Sequence, residues 1–163
     1  MQDMEKTYNP AFEKRIYDMW LKGKFFEAHP NPEKEPFTVM MPPPNITGQL
    51  HMGHALDETL QDIIVRFKRM SGYETLWMPG TDHASIATEV KVVERMKKEE
   101  GLSKSDVGRD GFLQRAWAWK EQFGGRIVEQ QKALGISCDW SKSAFTMDEN
   151  CSNAVLDAFV RYY

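Results

Sequence analysis

Phe37-Thr38-Val39-Met40-Met41-Pro42-Pro43-Pro44-Asn45-Ile46-Thr47-Gly48-Gln49-Leu50-His51-Met52-Gly53-His54 is the stretch from which the fold can be read. Its first five residues are short, apolar and β-rich, as a buried parallel strand requires. The three prolines end that strand, because proline supplies no ladder donor and pushes the residue before it towards extended geometry. Beyond Gly48 the period changes to that of an amphipathic helix. Leu56, Leu60, Ile63, Ile64 and Phe67 share one face, with Asp57, Glu58, Gln61, Arg66 and Lys68 elsewhere, until Ser71-Gly72 stops it. Glu74 to Met78 reads as a second strand, closed by Pro79-Gly80. A strand, loop, helix, strand unit favours a right-handed parallel crossover, and hence an α/β fold.

The flanks are helical. Asn9-Pro10 opens a pattern with Phe12, Ile16, Met19 and Trp20 on one face and Gly23 at its end, expected to pack on the domain. The three prolines between His29 and Pro36 make that segment a connecting loop. Helices are expected over about 86–100, 109–134 and from 148 onward, with Gly124-Gly125 a place where the long one can kink. The pattern Val155, Leu156, Phe159, Val160, Tyr163 has no stop residue, so the chain reads as cut.

Composition narrows the class. The 163 residues suit one domain, residues 1–36 forming a helix and connecting loop and 37–163 the body. With 41% hydrophobic and 28% charged residues, and no apolar run near the ~20 a membrane helix needs, a soluble protein without membrane contact is expected. No leader pattern precedes Asn9, and Cys138 and Cys151 are the only cysteines, so a cytoplasmic location with reduced thiols is expected. A net charge of -3 gives no general attraction to nucleic acid.

The chemistry concentrates in two loops. His51-Met52-Gly53-His54 lies where a strand passes through a loop into a helix start, a place where backbone N–H groups and the positive helix end attract phosphate. Histidines three apart share a helical face, and Gly53 leaves room for a flat ring to approach the backbone. Polar surface and half of a metal site are rival readings. No glutamate sits inside the pair and the cysteines lack finger spacing, so no metal site is expected. Asp82, just after the second strand, reads either as a charged site residue or as the cap of the helix that follows.

Pro42 through Leu56, with its His-x-Gly-His core after a strand, resembles the first signature of the class I aminoacyl-tRNA synthetases. The proline run followed by Asn45-Ile46-Thr47-Gly48 is similar to the valyl branch of that family. So are Thr75-Leu76-Trp77-Met78-Pro79-Gly80-Thr81-Asp82-His83-Ala84, Ile86-Ala87-Thr88, Trp117-Ala118-Trp119-Lys120, Asp139-Trp140-Ser141 and Phe145-Thr146-Met147-Asp148-Glu149. The likeness covers nearly the whole chain. Ser85 departs from it, standing where the valyl branch usually has glycine, and bears on the shape of the amino-acid pocket.

The resemblance implies the first half of a Rossmann-like parallel-sheet nucleotide-binding domain. It also implies ATP-dependent activation of valine to valyl-adenylate, followed by transfer to tRNA(Val) in a full-length enzyme. His51 and His54 would be the catalytic pair on the ATP phosphates. Thr47, Gly48 and Gly53 would complete the ATP site, with Gly53 against adenine and Mg²⁺ arriving with ATP. Pro42, Pro43, Pro44, Asn45 and Asp82 would receive the amino acid, a main-chain carbonyl and the Asp82 carboxylate taking its ammonium group.

Editing and anticodon domains, and the late Lys-Met-Ser-Lys-Ser loop, would lie outside this chain, which alone is expected to be feeble or inactive. Leu102-Ser103-Lys104-Ser105 and Trp140-Ser141-Lys142-Ser143 echo that loop but lack its opening Lys-Met. Trp117 and Trp119, two apart on a helix, point to different sides, with at least one in the core. The alternatives are a nucleotidyl transferase of the same fold that lacks the Asp82 block, and a synthetase-like ATP-binding or partner-binding module without charging activity.

Overall fold

The computed structural model describes residues 8–163. Helix α1 spans Ala11–Lys22, strand β1 Pro36–Met40, helix α2 Met52–Met70 and strand β2 Glu74–Met78. Strand β3 (Gly80–Thr81), helices α3 (Ser85–Glu99) and α4 (Lys104–Ala133), strand β4 (Ala144–Phe145) and helix α5 (Glu149–Tyr162) follow. β1 and β2 pair in parallel, Phe37 opposite Thr75 and Val39 opposite Trp77, with α2 crossing between them. The ladder continues past β1, as the Met41 amide donates to the Met78 carbonyl at 3.0 Å. The short parallel pair β3 and β4, in which Gly80 lies opposite Ala144, is absent from the sequence reading. Strands of two residues carry no periodicity to detect.

Two apolar clusters hold these elements. Met41, Val65, Trp77, Ile136 and Cys138 pack under α2 and the β1–β2 pair. Ile46, Val92, Met96, Phe112, Trp119 and Ile127 join the proline loop to α3 and α4. Trp119 is buried, donates its indole N–H to the Ile46 carbonyl at 2.6 Å and stacks on Phe123, whereas Trp117 is exposed. The two tryptophans therefore do divide between core and surface. Burial pushes the Cys138 thiol well up, and both cysteines are free. Among the described residues no helix is long and apolar enough to cross a membrane.

The structure shows which face of two helices turns inward, and it moves the expected break in a third. On α1, Phe12, Ile16 and Met19 are exposed and Tyr17 is buried instead. Its hydroxyl donates to the Ile136 carbonyl at 2.7 Å and accepts from the Trp140 indole at 2.9 Å, and burial pushes it up to about 12. On α2 the apolar stripe Leu56, Leu60, Ile63, Ile64, Phe67 is 50–65% exposed, while Glu58 and Val65 are buried. The inward face is tied by polar contacts. Asp62 accepts from the Ser137 amide at 2.9 Å, Arg69 donates to the Ser137 carbonyl at 3.0 Å, and Gln61 accepts from the Trp77 indole at 3.1 Å. On α4 the break falls at Gly108 (φ 65, ψ -175), and the helix runs unbroken through Gly124-Gly125. A Cβ on Gly124 would meet Ile46 at 3.9 Å, an ordinary packing contact between α4 and the loop.

Candidate active site

The histidine pair is built by the helix start it occupies. His51 is the N-cap of α2 in extended geometry, and its Nδ1 accepts from the Gly53 amide at 3.1 Å. The His54 Nδ1 accepts in return from the His51 amide at 3.2 Å, which closes a reciprocal cap. With both Nδ1 atoms accepting, each neutral ring carries its proton on Nε2 and offers that N–H as a donor. The ring centroids lie 3.9 Å apart. Burial, and then the neighbouring His51, lower the His54 pKa, which favours the neutral ring.

Gly53 has a local reason as well as the one read from the sequence. A Cβ there would stand 2.9 Å from the His51 Cε1, so a side chain would displace the capping ring. The Gly53 amide is already committed to His51, so the imidazole Nε2–H groups add to the donors this turn can offer a phosphate.

A cavity of about 410 Å³ brings most of the candidate residues together. Pro42, Pro43, Pro44, Asn45, Thr47, His51, Gly53 and His54 line it. Gln49 and Asp57, which the sequence reading did not select, complete the lining, and Gly48 does not take part. Among the described residues no group of three or more His, Cys, Asp or Glu side chains is gathered as a metal would need.

Asp82 lies outside that lining but is knitted to it through the backbone. Its amide donates to the Pro44 carbonyl at 2.8 Å, its carbonyl accepts from the Ile46 amide at 2.9 Å, and Asn45 pairs with it in parallel. The carboxylate Oδ1 accepts from the Thr146 hydroxyl at 2.8 Å and lies 3.3 Å from the His83 ring. The cap reading of Asp82 is corrected: the N-cap of α3 is Ala84, with no side-chain cap bond. The turn before α3 needs left-handed backbone, φ 55 at Ala84 and φ 35 at Ser85, so the helix begins beyond the reach of Asp82. Thr146 is a functional candidate that sequence reasoning missed. It stands inside the quoted Phe145–Glu149 block, but its partner is 64 residues away.

Residues 15–163 match the family model described as tRNA synthetases class I (I, L, M and V). The chain belongs to this family. Among its curated class I relatives, the valine–tRNA ligase of Carboxydothermus hydrogenoformans is 56% identical over 161 residues, covering 98% of this chain and 18% of the relative. That of Thermus thermophilus is 55% identical over 162 residues, 99% of this chain and 19% of the relative. That of Clostridium tetani is 53% identical, with 99% and 18% covered. The chain thus spans about a fifth of the length of the curated relatives it matches. The LeuRS of a LeuRS-tRNA-LeuAMS ternary complex from Agrobacterium radiobacter K84 superposes with a TM-score of 0.72 at 17% identity, covering 91% of this chain and 17% of that one. At that identity the likeness is one of fold, and it agrees with a Rossmann-like half carrying parallel strands.

Proposed function

We propose that this chain is the ATP-binding first half of the catalytic domain of a valine–tRNA ligase. Residues 37–163 form that half, and the segment 1–36, of which 1–7 lie outside the described residues, leads into it with a helix and connecting loop. In the full-length enzyme a valine carboxylate oxygen attacks the α-phosphorus of ATP. The bond from that phosphorus to the bridging oxygen breaks, pyrophosphate leaves, and valyl-adenylate then passes its valyl group to tRNA(Val). No covalent enzyme intermediate is needed, so positioning and electrostatic stabilisation supply the acceleration. The observation that carries this reading is the backbone knitting of Asp82 to the Pro44–Ile46 strip, two residues of which line the cavity that His51 and His54 also line.

Within that reading His51 and His54 donate Nε2–H to phosphate oxygens as those gain charge. Thr47 and Gly53, which line the cavity, border the nucleotide, Gly53 against adenine. The valine ammonium group rests on Asp82 and a carbonyl of Pro42 or Pro43, since Pro44 already accepts from Asp82. Pro42, Pro43, Pro44 and Asn45 shape the pocket. Magnesium travels with ATP on its phosphates, in keeping with Asp57 as the one carboxylate lining the cavity. The reading carries a cytoplasmic location with it.

A second reading, a synthetase-like module that binds a nucleotide or partner without charging, draws support from the exposed apolar stripe of α2. Amino-acid-dependent exchange of pyrophosphate into ATP by the full-length enzyme separates the two. Exchange with valine well above other amino acids is expected, and a full-length protein with no exchange leaves the module reading. The 163-residue chain alone is expected to show feeble exchange at most.

A further inference from the structure

Two consecutive glutamines of α4 grip the histidine loop from behind. Gln130 Oε1 accepts from the Leu50 amide at 3.0 Å, immediately before His51. Gln131, fully buried, donates to Glu58 Oε1 at 2.7 Å and touches the Met41 sulfur at 3.2 Å. Glu58 lies one helical turn beyond His54 on the same face of α2, and Met41 immediately precedes Pro42. Consecutive helical residues diverge by about 100°, so one point on α4 reaches the start, the middle and the far side of the signature segment.

Gln130, Gln131, Glu58 and Met41 all lie outside the cavity lining, and a buried amide on a buried carboxylate is an unusual way to pack a core. The pairing makes geometric sense as a fixture. The His51 ring is held by the Gly53 amide and the His54 ring by the His51 amide, so their Nε2 directions follow whatever moves Leu50 or the first turns of α2.

We infer that Gln130 and Gln131 are positioning residues that fix the His51–His54 rings against the nucleotide site. The kinetic consequence rests on the proposed activation reaction; the geometric one does not. Gln130→Met keeps length but has no acceptor for the Leu50 amide, whereas Gln130→Glu keeps one. Positioning therefore predicts loss in the first and rescue in the second.

The test uses the full-length enzyme with ¹⁵N-labelled histidine. In Gln130→Met the ring ¹⁵N shifts of His51 and His54 move, and the kcat of valine-dependent exchange falls about tenfold or more while the KM for ATP changes less than about threefold. In Gln130→Glu the shifts and the rate return close to wild type. Wild-type shifts and rate in Gln130→Met, or no recovery in Gln130→Glu, would overturn the inference. If the wild-type enzyme exchanges no valine, the substrate reading falls, and the ring shifts still decide this one. Should Gln130→Met not fold, Gln131→Glu sets two carboxylates face to face and lowers kcat, and Glu58→Gln with Gln131→Glu restores the bond in reverse. Equal rates in that single and double variant would likewise overturn it.

Discussion

Asp82 and Pro44 are joined main chain to main chain, amide to carbonyl at 2.8 Å, which ties the proline loop to the end of β3. That bond fixes where the Asp82 carboxylate starts, and the Thr146 hydroxyl at 2.8 Å fixes where it points. Thr146→Val keeps the volume and removes the hydroxyl. We predict about a tenfold fall in kcat/KM for valine in pyrophosphate exchange, near the ~1.5 kcal/mol of a hydrogen bond to a charged group, with little change in the KM for ATP. Thr146→Ser should recover most of it, and unchanged valine kinetics in Thr146→Val would remove the hydroxyl from the site.

His54 links the chemistry to pH. Burial and His51 depress its folded pKa, so on acidification the unfolded chain takes up the proton first. Its contribution to stability is therefore complete above the ordinary histidine value of about 6.5 and is lost as pH falls through the depressed folded value. Protonation at Nδ1 also removes the acceptor of the His51 amide. Exchange should be level above neutrality and fall on the acid side. His54→Ala should lower kcat about 100-fold or more, as loss of one oxyanion donor does, with a smaller change in ATP binding. A rate that climbs as the histidines become charged would speak for imidazolium rather than neutral donors.

Glu58 is buried with one carboxylate oxygen, Oε2, lacking a hydrogen-bond partner. Desolvation raises its pKa, against which the Gln131 bond works. For an acid raised in this way the native state holds the proton longer than the unfolded chain, so stability declines as pH rises from the ordinary carboxylate value through the folded one. Glu58→Gln removes that slope while keeping an acceptor for Gln131. It should raise the unfolding midpoint at pH 8 more than at pH 4, because the buried charge is gone while the acceptor for Gln131 is kept. Parallel pH profiles for variant and wild type would show that Glu58 finds a partner in solution.

Ser85 sits at φ 35 beside Ala84 at φ 55, a pair of left-handed residues that only glycine adopts freely. Ser85→Gly should stabilise the protein by about 0.5–1 kcal/mol, the strain of roughly 1–2 kcal/mol less the entropy glycine adds to the unfolded chain. Thermal unfolding checks the sign, and a destabilised Ser85→Gly would mean the serine hydroxyl makes a compensating contact.

Much of this was legible from local chemistry. The strand at 37–41, the helix after Gly48 and the strand at 74–78 each announce themselves within a few residues, and their order dictates the parallel crossover. The cavity residues from Pro42 to His54 are contiguous in the chain, which is why they could be picked out together. What escaped depends on partners distant in sequence. Tyr17 turns inward for Ile136, Glu58 is buried by Gln131, and Thr146 reaches Asp82. An amphipathic pattern ranks faces by apolarity and does not say which face a distant segment covers, so the burial of Glu58 and Val65 on α2 was not legible from it.

Kinetics of Asp82→Asn in the full-length enzyme test most directly whether this loop and this carboxylate form one amino-acid site. The amide keeps the size of the side chain and leaves the backbone pairing with Pro44 and Ile46 untouched, but the charge is gone. Losing one partner of a buried pair costs roughly 3–5 kcal/mol; with the Asp82 side chain 32% exposed, solvent screening lowers that to about 2–3 kcal/mol. Valine-dependent pyrophosphate exchange should therefore lose about 30- to 100-fold in kcat/KM for valine, at an unfolding temperature close to wild type. A well-folded Asp82→Asn enzyme that activates valine at the wild-type rate would contradict the assignment.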